Sequence, residues 1–139
     1  MIRLSRMTFL VGAVTFIVIG VLHSFVHLTE LASPDLEARF DAVGPVALQG
    51  DSVRAWDLFQ GLSLLMGAFS VTLGVVLIGI LRETDPLSPP PALVSLAVCV
   101  QLIVIAAVGG LYLSAFQIVG GVVGIALFAM PFIVALRRA

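Results

Sequence analysis

Residues 58–81 read LFQGLSLLMGAFSVTLGVVLIGIL, and no Asp, Glu, Lys or Arg lies between Asp57 and Arg82. A helix needs about 20 apolar residues to cross the roughly 30 Å hydrocarbon core of a bilayer. The stretch exceeds that length and therefore predicts a transmembrane helix. The composition of the whole chain agrees, because 60% of its 139 residues are hydrophobic and only 11% are charged. Soluble domains carry about 25% charged residues.

Two further intervals without charged residues lie at 7–29 and 86–136. The second is too long for one helix and has the length of two spans joined by a tight turn, which we place near Leu113, Ser114 and Ala115. The sequence therefore predicts an all-α fold, a four-transmembrane-helix bundle that forms a single integral membrane domain over residues 1–139. The predicted helices lie at about 7–29, 57–81, 91–112 and 116–136.

The arginines predict the orientation of these spans. All seven basic residues are arginines, and in a chain rich in Ala, Val and Leu this favours a bacterial source. Cytoplasmic loops carry an excess of basic residues. Five arginines share a side with the termini (Arg3, Arg6, Arg82, Arg137 and Arg138), and two lie on the other (Arg39 and Arg54). We therefore expect a multi-pass protein of the bacterial inner membrane, with both termini cytoplasmic and residues 30–57 outside.

The loop at 30–57 is predicted to contain a short amphipathic helix. Ser33 can cap a helix that begins at Pro34, since serine is favoured at the cap and proline at the first helical position. Leu36, Phe40 and Val43 recur at the spacing of one helical face. Gly44 and Pro45 are expected to end this helix.

Small residues predict where the spans pack closely, because helices in lipid associate through close backbone approach. These residues are Gly61, Ser63, Gly67, Ser70 and Gly74 in helix two, and Gly120 and Gly124 in helix four. We expect helix two to be the most buried of the four. Packing within one chain and packing between two copies remain alternatives.

A candidate polar cluster lies at the outer ends of helices one and two. Its predicted members are His23, His27, Asp57 and Gln60. Residues four apart share a helical face, and the antiparallel course of the two helices brings the four positions to similar depths. Polar groups at membrane depth are costly unless satisfied, so such positions are candidate sites. One interpretation is a hydrogen-bonded contact between the helices, and the other is a metal site formed by His23, His27 and Asp57.

The sequence contains none of the motifs of nucleotide hydrolysis, serine hydrolysis, dithiol redox chemistry, covalent haem or zinc proteases. Its net charge of −1 and scattered arginines give no basis for nucleic-acid binding. We expect no cofactor and no catalysis of its own. The expected partners are the lipid bilayer and either a membrane-protein partner or further copies of the chain.

The run WDLFQGLSLLMGAFSVTLGVVLIGI, at 56–80, follows a first span that carries G-x-x-H from Gly20 to His23. Together they resemble a family of small uncharacterised bacterial four-helix integral membrane proteins. The resemblance covers helices one and two with their loop, and it implies an integral membrane protein without indicating an activity. Two functions therefore remain open: a structural or accessory component, or a membrane protein that binds a ligand or metal at the outer helix ends for redox or transport chemistry.

Overall fold

A computed structural model of the chain describes residues 1–28, 34–48, 51–112 and 115–137, with backbone alone at 27–28, 34, 108–112 and 115–118. Helices dominate this part of the chain, as the sequence predicts. The elements in chain order are α1 (Ile2–Leu28), α2 (Pro34–Asp41), β1 (Val46–Leu48), β2 (Asp51–Val53), α3 (Ala55–Glu83), α4 (Ala92–Tyr112) and α5 (Ala115–Leu136). The predicted cap Ser33 and the predicted turn residues Leu113 and Ser114 lie outside the described residues.

Three stretches of the described residues are helical, long and apolar enough to cross a membrane: Ile2–Val26, Ala55–Glu83 and Val119–Leu136. The described side chains of α4 add a shorter apolar stretch, Ala92–Ala107. In each of the three long stretches, 22% of the residues in the most apolar 18-residue segment are buried, so α3 is no more buried than α1 or α5. The expectation that helix two is the most buried is therefore wrong for the described residues.

The segment between α1 and α3 contains the predicted short helix and a hairpin that was not predicted. α2 ends at Asp41, and Gly44 follows in a left-handed conformation, with φ of 82°, which glycine adopts without steric cost. Val43 lies beyond the helix and is 73% exposed, so it does not extend the packed face of α2. β1 and β2 then pair antiparallel, with Val46 opposite Val53.

The chain divides into two compact units. Unit 1 comprises Met1–Thr15 and Gly74–Ala139, and unit 2 comprises Phe16–Leu73. α1 and α3 each contribute to both units.

In unit 1, the first turns of α1 bind the end of α3 and the connection that follows it. The Arg6 guanidinium donates hydrogen bonds to the carbonyl oxygens of Leu81 at 2.8 Å, Asp85 at 3.0 Å and Ser88 at 3.2 Å. The last carbonyls of a helix have no intrahelical donor, and the guanidinium supplies one. Arg6 therefore fixes the amino end of α1 beside the connection between α3 and α4.

The core of unit 1 is built around Phe128, which is fully buried. Its ring packs edge-to-face on Phe9, with ring centroids 5.2 Å apart and planes at 75°. A Cβ atom added to Gly12 would lie 2.5 Å from a ring carbon of Phe128. Gly12 therefore provides the space on α1 that this ring of α5 occupies.

α5 also packs closely on α4 in unit 1. A Cβ atom added to Gly121 would lie 2.6 Å from the Ala106 Cβ, and one added to Gly124 would lie 2.9 Å from a methyl carbon of Leu102. A Cβ atom added to Gly120 would meet nothing within 4 Å. The close approach thus occurs at Gly121 and Gly124.

In unit 2, α1 and α3 approach each other at two facing glycines. A Cβ atom added to Gly20 would lie 2.6 Å from the Gly67 carbonyl oxygen and 2.9 Å from the Val71 nitrogen. One added to Gly67 would fall against the Ser24 hydroxyl and 3.0 Å from the Gly20 carbonyl oxygen. This contact places backbone on backbone, which is how small residues let membrane helices pack.

The remaining predicted packing residues of α3 differ in their surroundings. Ser63 is buried at 9% exposure, and Gly74 is buried as well. Gly61 is exposed, with nothing within 4 Å of an added Cβ atom. Ser70 is half-buried and donates its hydroxyl to the Met66 carbonyl oxygen at 3.0 Å.

Candidate functional site

A cluster of charged side chains joins α2 to the start of α3 in unit 2. Arg54 lies just before α3, and its Nη2 atom donates hydrogen bonds to Glu37 Oε1 at 3.1 Å and to Asp41 Oδ2 at 2.6 Å. Its Nη1 atom lies 3.8 Å from Asp57 Oδ1. One guanidinium thus bridges carboxylates from both helices, and we call these four residues the Arg54 network.

The local sequence explains the geometry of the Arg54 network. Glu37 and Asp41 are four residues apart, so α2 presents them on one face. Asp57 follows Arg54 at i+3, and one turn of helix brings the two side chains together. α2 also carries Asp35 and Glu37 in its first turn and Arg39 in its last, an arrangement that suits the helix dipole.

Three aromatic rings pack together beside the Arg54 network. Phe40 from α2 stacks on Phe59 from α3, with centroids 4.5 Å apart and planes at 25°. Trp56 lies 5.9 Å from Phe40 and 5.7 Å from Phe59, measured between ring centroids. Trp56 is buried at 6% exposure. We call these three residues the aromatic stack, and it supplies the apolar part of the contact between α2 and α3.

The carboxylates raise the pKa of Arg54 above its ordinary value. The hydrogen bond to Asp41 is the largest cause, and the hydrogen bond to Glu37 is the next. Because the pKa of Arg54 is raised in the folded state, its contribution to stability is complete below the unfolded pKa of arginine, which lies far above neutral pH. The positive charge of the network is therefore constant over the physiological pH range.

The predicted polar cluster is described in part. His23 lies on α1 with its side chain exposed, and Gln60 lies on α3 with its side chain half-buried. Asp57 is exposed and pairs with Arg54. The side chain of His27 lies outside the described residues. The grouping of His23, His27, Asp57 and Gln60 thus remains a prediction.

Among the side chains that the structure describes, no group of three His, Cys, Asp or Glu residues lies close enough together to hold a metal ion. The predicted metal site requires His27, whose side chain is not among them. Cys99, the single cysteine, is buried in α4 as a free thiol.

The sequence contains signals for both the Arg54 network and the aromatic stack. Glu37 and Asp41 share a face of the predicted amphipathic helix, and Arg54 is the only basic residue between α2 and α3. Phe40 was predicted to lie on the apolar face of α2, and Phe59 follows Trp56 at helical spacing. The partners of these residues were missed because a helical pattern predicts which face is apolar and does not predict what covers it.

Comparison of the chain with protein-family models, with curated proteins and with solved structures found no match.

Proposed function

We propose that the chain is a four-span integral membrane protein of the bacterial inner membrane, with both termini in the cytoplasm. α1, α3, α4 and α5 are the spans. α4 runs from Ala92 to Tyr112, and at about 1.5 Å per residue this length matches a bilayer core of about 30 Å. The resemblance of residues 20–23 and 56–80 to small bacterial four-helix membrane proteins belongs to the same proposal.

Within this architecture the protein is a structural or accessory component without catalysis of its own. One observation carries the proposal: four charged side chains of α2 and of the start of α3 are bonded to one another. Arg54 binds carboxylates on both α2 and α3, and the aromatic stack packs beside them. The Arg54 network and the aromatic stack thus hold α2 against the start of α3. A surface held in one conformation in this way suits the binding of a partner protein.

The experiment is purification from native membranes in lipid nanodiscs, followed by mass measurement, metal analysis and a visible spectrum. We expect an assembly larger than one chain, colourless and without stoichiometric metal. A monomer, or a protein that carries a chromophore or one metal per chain, would contradict the accessory role.

The alternative function is the binding of a ligand or metal at the outer ends of helices one and two. The exposed imidazole of His23 favours it, because histidine is the commonest metal ligand among side chains. His27, Asp57 and Gln60 would complete this site. The alternative predicts that a His23→Leu, His27→Leu variant loses a bound metal or chromophore that the parent retains.

A further inference from the structure

Gln101 occupies an unusual position on α4. It is the tenth residue of Ala92–Tyr112, and its side chain is exposed. At about 1.5 Å per residue, roughly 14 Å of helix precede it and roughly 17 Å follow it. A glutamine side chain is too short to reach the membrane surface from that depth. If α4 spans the bilayer as proposed above, the amide lies in hydrocarbon.

The two sides of α4 have different surroundings. One side carries Leu102 and Ala106, which lie against Gly124 and Gly121 of α5. The side that carries Gln101 has exposed apolar neighbours, with Val104 at 55% exposure, Val100 at 52% and Leu93 at 77%. Ala97, one turn before Gln101, is exposed as well. We call the surface formed by Leu93, Ala97, Val100, Gln101 and Val104 the Gln101 face.

Several hydroxyls on the apolar helices bond to their own backbone, whereas the buried Ser5 and Ser95 hydroxyls have no hydrogen-bond partner among the described residues. Thr15 donates its hydroxyl to the Val11 carbonyl oxygen at 2.8 Å, and Ser70 donates to Met66 in the same way at 3.0 Å. These bonds satisfy a hydroxyl within one helix. In the part of the chain that the structure describes, no hydrogen bond joins the Gln101 amide to another residue.

We propose that the Gln101 face binds the same face of a second copy, forming a symmetric dimer in the membrane. This inference rests on the proposed four-span architecture. Copies inserted in the same orientation are related by a two-fold axis along the membrane normal, so their α4 helices run parallel and Gln101 meets Gln101 of the second copy.

The chemistry of the amide selects a second copy as the occupant. A glutamine side chain carries both a donor NH₂ group and an acceptor oxygen, so two facing glutamines satisfy each other. Hydrogen bonds between such side chains hold membrane helices together. Ala97, one turn away, lets the two helices approach closely, and the exposed Leu93, Val100 and Val104 supply the packing.

Cysteine cross-linking in vesicles tests the geometry of this dimer. At about 100° per residue, Val104 lies about 60° from Gln101 around the helix, whereas Ile103 lies about 160° away. Both side chains are similarly exposed, at 55% and 54%. On a Cys99→Ala background in phosphatidylethanolamine and phosphatidylglycerol vesicles, the Val104→Cys variant should form a cross-linked dimer, and the Ile103→Cys variant should remain a monomer.

Energy transfer between labelled copies in the same vesicles tests the role of the amide. Gln101→Leu should raise the dissociation constant about tenfold, which corresponds to about 1.4 kcal/mol, within the range measured for hydrogen bonds between membrane helices. Ile103→Leu is the matched control and should leave the constant unchanged. A monomeric parent, equal cross-linking at 103 and 104, or cross-linking of Val104→Cys to a different protein in native membranes would overturn the dimer.

A water-soluble maleimide separates this inference from the architecture on which it rests. If α4 spans the bilayer, the thiols of Val104→Cys and Ile103→Cys are both protected from the reagent in intact vesicles. Protected thiols without cross-linking would refute the dimer and leave the four-span proposal standing. Rapid labelling of both thiols would refute the span itself.

Discussion

Arg54 shows how one side chain organises the segment between the first two long helices. Its guanidinium contacts Glu37, Asp41 and Asp57, yet the four side chains are 42–54% exposed. Exposed ion pairs contribute little to stability because water screens them. The contribution of Arg54 is therefore positional, since it directs α2 so that Phe40 reaches Trp56 and Phe59.

Arg54→Gln should loosen the aromatic stack. Glutamine cannot bridge the carboxylates of both helices, so α2 should separate from α3 for a larger share of the time. Trp56 is the only tryptophan in the chain, and its fluorescence reports the stack directly. We expect a red shift of its emission and faster quenching by acrylamide.

Arg39→Gln is the control for Arg54→Gln, because Arg39 is an exposed arginine on α2 with no ion pair to the described residues. It should leave the emission of Trp56 unchanged. Equal red shifts in the two variants would show that net charge, rather than the Arg54 network, positions the stack. The difference between the variants should persist from pH 6 to pH 9, since the raised pKa of Arg54 keeps it charged throughout that range.

The helices meet where glycine removes a side chain from the contact. Gly20 faces Gly67 and Val71 in unit 2, and Gly121 faces Ala106 in unit 1. Two other glycines serve for comparison, because a Cβ atom added to Gly61 on α3 or to Gly120 on α5 would meet nothing within 4 Å. These pairs allow the effect of packing to be separated from that of helix propensity.

Gly20→Ala should destabilise the protein, and Gly61→Ala should not. The methyl group at position 20 would meet backbone atoms that cannot rotate away, and overpacking of this kind costs about 1–3 kcal/mol. The methyl group at position 61 meets open space and favours the helix by about 0.5–1 kcal/mol. Unfolding in mild detergent measures both changes. A stable Gly20→Ala variant would contradict the backbone contact in unit 2.

Gly121→Ala and Gly120→Ala provide the same test for α4 and α5. The first variant places a methyl group against the Ala106 Cβ, so it should be destabilised by about 1–3 kcal/mol. The second should be neutral or slightly stabilised. The two residues are adjacent, which makes their depth and lipid environment nearly the same. A reversed order of stability would mean that α5 is rotated relative to the structure described above.

The sequence predicted the helices well because long intervals without charged residues mark apolar helices of this length. Their rotation was harder to predict. Gly120 was expected at a contact, but an added methyl group meets Ala106 only at Gly121, and a turn of about 100° per residue separates the two. The hairpin was missed because its strands have only three residues each, too few to show an alternating pattern.

The candidate sites were less predictable than the helices. Spacing alone placed His23, His27, Asp57 and Gln60 at similar depths, and only contacts in three dimensions decide whether they meet. Arg6 illustrates the same limit. It was assigned to the cytoplasmic side by charge, and its bonds to the carbonyl oxygens of Leu81, Asp85 and Ser88 follow from the packing of unit 1, which charge counting does not describe.

At the scale of the whole molecule, the central proposal is a four-span protein with both termini in the cytoplasm. Three helices of the described residues are long and apolar enough to span, and α4 is proposed as the fourth span. Arg6 holds the amino end of α1 beside residues 81–88, so the proposed architecture requires these two segments to lie on the same side of the membrane. The arginine bias predicts that this side is the cytoplasm.

Labelling of single cysteines with a membrane-impermeant maleimide in intact bacteria tests this proposal most directly. On a Cys99→Ala background, the Asp51→Cys and Ser114→Cys variants should react in intact cells. The Asp85→Cys and Arg137→Cys variants should react only after the inner membrane is permeabilised. Reaction of Arg137→Cys in intact cells, with Asp85→Cys still protected, would leave an odd number of spans after residue 85 and would contradict the four-span architecture.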